Sequence, residues 1–111
     1  MKPEQKLDIE VGVFLRSVPH CYSYRIESSH TAPGFPDRVI FWRGKVILLE
    51  LKAGTKLTPC QKVFHRIAED VKIHIYILEK SRNNVILDGV KFPTVHDALR
   101  VLLNNEENNY V

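Results

Sequence analysis

Between Asp37 and Lys52 the chain carries two short apolar runs, Val39-Ile-Phe-Trp42 and Val46-Ile-Leu-Leu49, with Arg43-Gly44-Lys45 between them. No other stretch constrains the fold as tightly. Gly44 is the one obvious turn residue available, so the spacing predicts an antiparallel hairpin with a two-residue Arg43-Gly44 loop and Trp42 facing Lys45. That register sets Asp37 opposite Glu50. Directly opposed residues hold their Cβ atoms roughly 4.5–5.5 Å apart, which two carboxylates tolerate only with a cation between them or with one of them protonated. Glu50 and Lys52 point to one face because strand side chains alternate, so the two acids and the lysine share one side of the sheet. Both runs are apolar on both faces, the pattern of central strands covered by helices on each side.

Around this hairpin the chain reads as α-β-β-β-α-β-(β)-α. Leu7, Val11, Phe14 and Val18 recur at helical spacing over Gln5–Val18, until Pro19 ends the pattern, with Gly12 its weak point. Glu10 borders that apolar stripe, either reaching solvent at its rim or serving a site. Cys21–Glu27 has the alternation of a strand, and residues 28 to 36 form a turn-rich loop that delivers the chain to Asp37. Thr58-Pro59-Cys60-Gln61 is a helix start, with Thr58 as cap, Pro59 in the first turn and Gln61 closing a capping box. That box explains Gln61 structurally, and Cys60 beside it reads as a small buried filler. Ile73–Leu78 is a further strand, Val85–Leu87 a short last one, and Thr94 opens a helix through Leu103. The polar tail 104–111 is expected to fray.

The length of 111 residues, 44% hydrophobic and 26% charged, predicts one soluble α/β domain over residues 1–111 with a central mixed sheet flanked by helices. A net charge of +3 permits a polyanionic partner without demanding one. Cys21 and Cys60 lack the spacing of a zinc site, and no histidine pair has metalloprotease spacing. The first residues lack the apolar core of a signal peptide and no apolar run could cross a membrane, so the expected location is the cytoplasm.

An Asp and a Glu on neighbouring strands, with a Lys two residues after the Glu, meet the needs of phosphodiester hydrolysis. Carboxylates suit hard divalent ions such as Mg²⁺ or Mn²⁺, and a lysine can orient a water or hold the scissile phosphate. In this respect Gly34-Phe-Pro-Asp37, Glu50-Leu-Lys52 and Gln61 together resemble the PD-(D/E)XK nuclease superfamily, and most closely its virus-type replication-repair nuclease (VRR-NUC) group, of the stand-alone phage or bacterial type. The resemblance covers about Glu10 to Ile77. It implies a restriction-endonuclease-like core, Asp37 and Glu50 as metal ligands with the Leu51 carbonyl, Lys52 as catalytic lysine and Gln61 as the helix glutamine. It also implies Glu10 as the first-helix glutamate of the metal site, with Glu4 the other candidate for that part.

The same resemblance implies an Mg²⁺- or Mn²⁺-dependent endodeoxyribonuclease acting on DNA, branched DNA such as four-way junctions or flaps included, as a homodimer in the (host) cytoplasm. Arg38 departs from the group's aliphatic residue after Pro-Asp and is a candidate for contacting a phosphate or a second subunit. His30, Lys56 and Lys62 are the other candidates for touching nucleic acid, while His65 and His74 read as incidental. Two alternatives stay open: a non-catalytic nucleic-acid-binding or assembly module on a nuclease fold, and a structural protein whose acid-lysine cluster is a surface ion-pair network.

Overall fold

The computed structural model describes residues 1–27 and 34–108, the side chains of 107 and 108 excepted. Helix α1 (Pro3–Ser17) starts with a proline in its first turn and the Gln5 side chain accepting from the Lys2 amide at 3.2 Å. It turns Leu7, Val11, Phe14 and Leu15 inward, and Val18 leaves it in an extended conformation ahead of Pro19. Gly12 is where the Arg38 guanidinium packs, since a Cβ there would lie 2.7 Å from Nη2.

Then follow β1 (Cys21–Arg25), β2 (Arg38–Trp42), β3 (Lys45–Lys52), α2 (Pro59–Asp70), β4 (Ile75–Lys80), β5 (Val85–Leu87), β6 (Val90–Phe92) and α3 (Val95–Asn108). The six strands lie side by side in chain order. Only β3 and β4 run parallel, joined by α2; every other neighbouring pair is antiparallel. The molecule is thus an α/β fold with a mixed sheet, as the residue pattern predicts.

The β2–β3 hairpin has the predicted register, with Trp42 opposite Lys45 and Arg38 opposite Leu49. Arg43 and Gly44 both have positive φ, 47° and 75°, which is what a two-residue type I′ turn demands of its central pair. Three elements differ from expectation. The strand predicted at Ile73 starts at Ile75, because the amides of Lys72 and Ile73 turn back onto the carbonyls of Glu69 and Ala68 at 3.1 and 2.8 Å and close α2 with a Schellman motif. The strand β6, absent from the predicted order, is made by a second tight hairpin at Asp88-Gly89, with φ of 49° and 85°. The chain from 104, expected to fray, continues as helix to Asn108, and Glu106 accepts the Tyr76 hydroxyl at 2.6 Å.

Helices α1 and α3 cover one face, where Leu7, Val11 and Leu15 meet Ile40, Leu49, Leu51, Leu99 and Leu102 in the core. The other face, carrying the even-numbered residues of β3, receives only α2. The expectation that both faces are covered is therefore half met. Tyr22, Phe41 and Val46 are opposed in register on that face and stay 60%, 43% and 66% exposed. Among the described residues no helix is long and apolar enough to cross a membrane.

Candidate functional site

The site lies at the carboxyl end of β3, where α1 and α2 both begin. Asp37 stands one residue ahead of β2, and its carbonyl accepts from the Ile26 amide at 2.7 Å, so the ladder holds it. Its Oδ2 accepts from the Leu51 amide at 2.7 Å. Glu50 is fully buried beside it. Burial, then the hydrogen bond and the charge of Asp37, push the Glu50 carboxyl up to about 9, against the opposing pull of Lys52 and with a further push from Glu4. Without a cation Glu50 is therefore protonated at neutral pH and donates to Asp37. The predicted conflict between two opposed carboxylates is present and is relieved by a proton.

The lead-in Gly34-Phe-Pro has its own reason. Gly34 has φ of 86°, and any Cβ there would run into the backbone of Cys60 and Gln61 at the start of α2. Phe35 packs edge-on against Phe64 of α2 with centroids 5.1 Å apart. These contacts pin the helix start over β3. Gln61 then bridges the two: its Oε1 accepts from the Thr58 amide at 2.9 Å and its Nε2 donates to Glu50 Oε2 at 3.1 Å. One amide thus closes the capping box and reaches Glu50.

One turn on, His65 brings Nε2 to 3.4 Å from the other Glu50 oxygen. Burial holds this imidazole below its usual range, helped by the charges of His74 and Lys52. His65 was expected to be incidental; the i, i+4 spacing from Gln61 was the signal that could have found it. Lys52 is 6% exposed, and its ammonium makes no hydrogen bond or ion pair with any described residue.

Other candidates are placed elsewhere. Glu10 lies on the flank of α1 where Lys80 takes its carboxylate at 2.9 Å. Of the two first-helix glutamates it is Glu4 that lies beside Asp37: it accepts from Thr55 Oγ1 at 2.6 Å and lines, with Lys2, Gln5, Asp8, Arg25, Asp37 and Leu51, a cavity of about 230 Å³. Arg38 is nine-tenths buried, its Nε on Asp8 Oδ1 at 2.7 Å and its Nη1 on the Ser23 hydroxyl. It bolts β2 to α1, so its guanidinium is not a surface phosphate contact. Lys56 and Lys62 are exposed around the start of α2, Cys60 is exposed and not a buried filler, and His30 lies outside the described residues.

Among the described residues no three His, Cys, Asp or Glu side chains are already set to hold a metal. The donor set nonetheless fits a hard divalent ion. A buried carboxyl held protonated by burial and by the neighbouring carboxylate adjoins Asp37, and Mg²⁺ is commonly held through one or two carboxylates with several waters retained. Continuing the β2–β3 register sets Pro36 opposite Leu51. A proline has no N–H, so the Leu51 carbonyl has no ladder donor there and remains an acceptor at the cavity.

No family model matches the chain, and no curated protein does. Among solved structures, that of Hjc, a Holliday junction resolvase from the archaeal hyperthermophile Archaeoglobus fulgidus, is similar with a TM-score of 0.45 and 18% identity, over 81% of this chain and 74% of that one. At that level of likeness the functional reading rests on the geometry of the site itself.

Proposed function

We propose that this chain is a divalent-metal-dependent endodeoxyribonuclease of the PD-(D/E)XK type, hydrolysing phosphodiester bonds of DNA, four-way junctions or flaps among its substrates, with Mg²⁺ or Mn²⁺ as cofactor. The observation that carries this reading is Glu50, a fully buried carboxyl facing Asp37, with a nearly buried Lys52 two residues on whose ammonium makes no hydrogen bond or ion pair with any described residue. A surface ion-pair network would not bury a glutamic acid in the company of a second carboxylate. The preference for branched DNA follows from the resemblance of the motifs to the VRR-NUC group.

Asp37, Glu50 and the Leu51 carbonyl would hold the ion, with Glu4 at the rim of the same cavity. When bound, the ion supplies neutralisation of the phosphate and a Lewis acid for the attacking water. Glu50 would have to release its proton to serve as a ligand, and Gln61 and His65, one on each of its oxygens, would fix their orientation. Lys52 would stabilise the charge that builds on the phosphate or orient the water. Leu51 N–H holds Asp37 as the charge of its partner changes.

The dimer we propose would cover the open sheet face. Tyr22, Tyr24, Phe41 and Val46 lie exposed there, and α2 with its capping residue presents Val63, Ile67 and Val71, 54%, 56% and 59% exposed. Exposed apolar surface of that extent marks interaction sites. The nuclease reading is tested by incubating purified protein with duplex, flap and four-way DNA in Mn²⁺ or Mg²⁺. Cleavage is expected, with Lys52→Ala slower by about 10²-fold or more; an unchanged rate in that variant, or no cleavage of any substrate, counts against it. DNA binding indifferent to metal and without cleavage would favour the non-catalytic module.

A further inference from the structure

A second cavity of about 260 Å³ opens between α1 and the first two strands, lined by Asp8, Ile9, Gly12, Arg16, Ser23, Arg25 and Arg38. Three arginines face one aspartate there, and that aspartate is already spoken for. Arg38, from the inner wall, takes Asp8 Oδ1 at 2.7 Å and reaches the Asp8 carbonyl at 3.4 Å, while Gly12 leaves the space its guanidinium fills. Arg25 is 3.8 Å from Asp8 Oδ2 and its side chain is 54% exposed. Arg16 is exposed and makes no hydrogen bond or ion pair with any described residue. The cleft thus presents the donors of Arg16 and Arg25 with little compensating negative charge, and guanidinium forks match phosphate oxygens in geometry.

This cleft continues into the candidate active site. Asp8 and Arg25 line both cavities, so Arg25 stands between the Asp37 side and the arginine side. A strand with one phosphate at the Asp37 and Leu51 side of the first cavity would run its neighbouring phosphate past Arg25 toward Arg16. We propose that the Arg16–Arg25 cleft, shaped by the buried Arg38–Asp8 pair, is a subsite for a nucleic-acid backbone phosphate flanking the scissile one. This rests on the nuclease reading and specifies how its substrate is held. Arg38 is the positioning residue, since it neutralises Asp8 and keeps the cleft from being acidic.

Binding of a fluorescently labelled DNA duplex to the full chain in EDTA, followed by anisotropy over a range of salt concentrations, tests the subsite without any cleavage. Each phosphate contact contributes about 0.9 to the slope of log K against log salt on duplex DNA. Arg16→Ala and Arg25→Ala are each expected to lower the slope by about that amount. Lys91→Ala, which removes the same charge from exposed β6 at the far edge of the sheet, leaves the slope within error. Both arginines are exposed enough that thermal melting of each variant should match the parent. Slopes in the arginine variants no lower than in Lys91→Ala, or no duplex binding by the parent protein, overturn the subsite. A parent protein that binds with the arginine-dependent slope yet cuts nothing in Mn²⁺ leaves the subsite standing and overturns the nuclease reading.

Discussion

At the scale of single residues the molecule is governed by one carboxyl. Glu50 in the folded chain titrates near 9, far above the value near 4.5 of an exposed glutamate, so between those two pH values the folded state holds a proton that the unfolded state has released. Stability from this group is therefore fully present below about pH 4.5 and is lost as pH rises through about 9. Thermal melting in EDTA should show a falling midpoint over that window. The slope should be absent in Glu50→Gln, which carries the neutral shape permanently, and divalent ion should restore the alkaline side in the parent protein. A flat profile in the parent would show that Glu50 is ionised throughout.

Asp8 makes a second residue-scale case. It is the partner of a nearly buried arginine, so Asp8→Ala strands the Arg38 guanidinium and should cost about 3 kcal/mol or more in chemical denaturation. A loss below 1 kcal/mol would mean the pair is not buried as described. The residues show also where sequence reasoning reaches its limit. Asp37 opposite Glu50 was legible because one glycine fixed a hairpin register, and Gln61 was legible from a capping box. Glu10 was preferred to Glu4 from the resemblance, but both flank the stripe of α1, and the packing of that helix against the end of the sheet puts Glu4 beside Asp37 and Glu10 on Lys80. Arg38 looked like a free cation because its partner is thirty residues away in sequence.

At the scale of elements, the site depends on two short contacts that set helix α2 over strand β3. Gly34, with its positive φ and its backbone against Cys60, admits no side chain, and Phe35 seats on Phe64. Gly34→Ala should therefore destabilise by about 1–3 kcal/mol and slow cleavage at the same time, because Gln61 and His65 move with the helix. Circular dichroism melting and a cleavage rate measured on the same preparation check this; a stable variant of full activity would remove the lead-in from the account. The elements were read from periodicity, and the late start of β4 and the missed β6 have local causes. A Schellman closure with Lys72 at φ of 64° consumed the first residues of the predicted β4, and the Asp88-Gly89 hairpin was hidden because its strands are three residues long.

At the scale of the whole molecule, the two faces of the sheet differ. One carries the core between α1, α3 and the strands; the other is covered by α2 and otherwise leaves tyrosines, Phe41 and valines in the open. A run of apolar residues on both faces of β2 and β3 predicted cover on each side, and the chain itself supplies little of it on one; the proposed dimer would supply the rest. Sedimentation should therefore give a dimer at micromolar concentration, with Ile67→Glu giving a folded monomer; a monomeric parent protein would leave the open face unexplained. The central claim is that Glu50 is buried for chemistry and not for stability. The most direct test is to measure Mn²⁺-dependent DNA cleavage and metal-free thermal stability together in the parent protein and in Glu50→Gln. The account predicts that the variant folds at least as stably at pH 8 and loses cleavage by about 10²-fold or more; a variant that cleaves at the parental rate would contradict it.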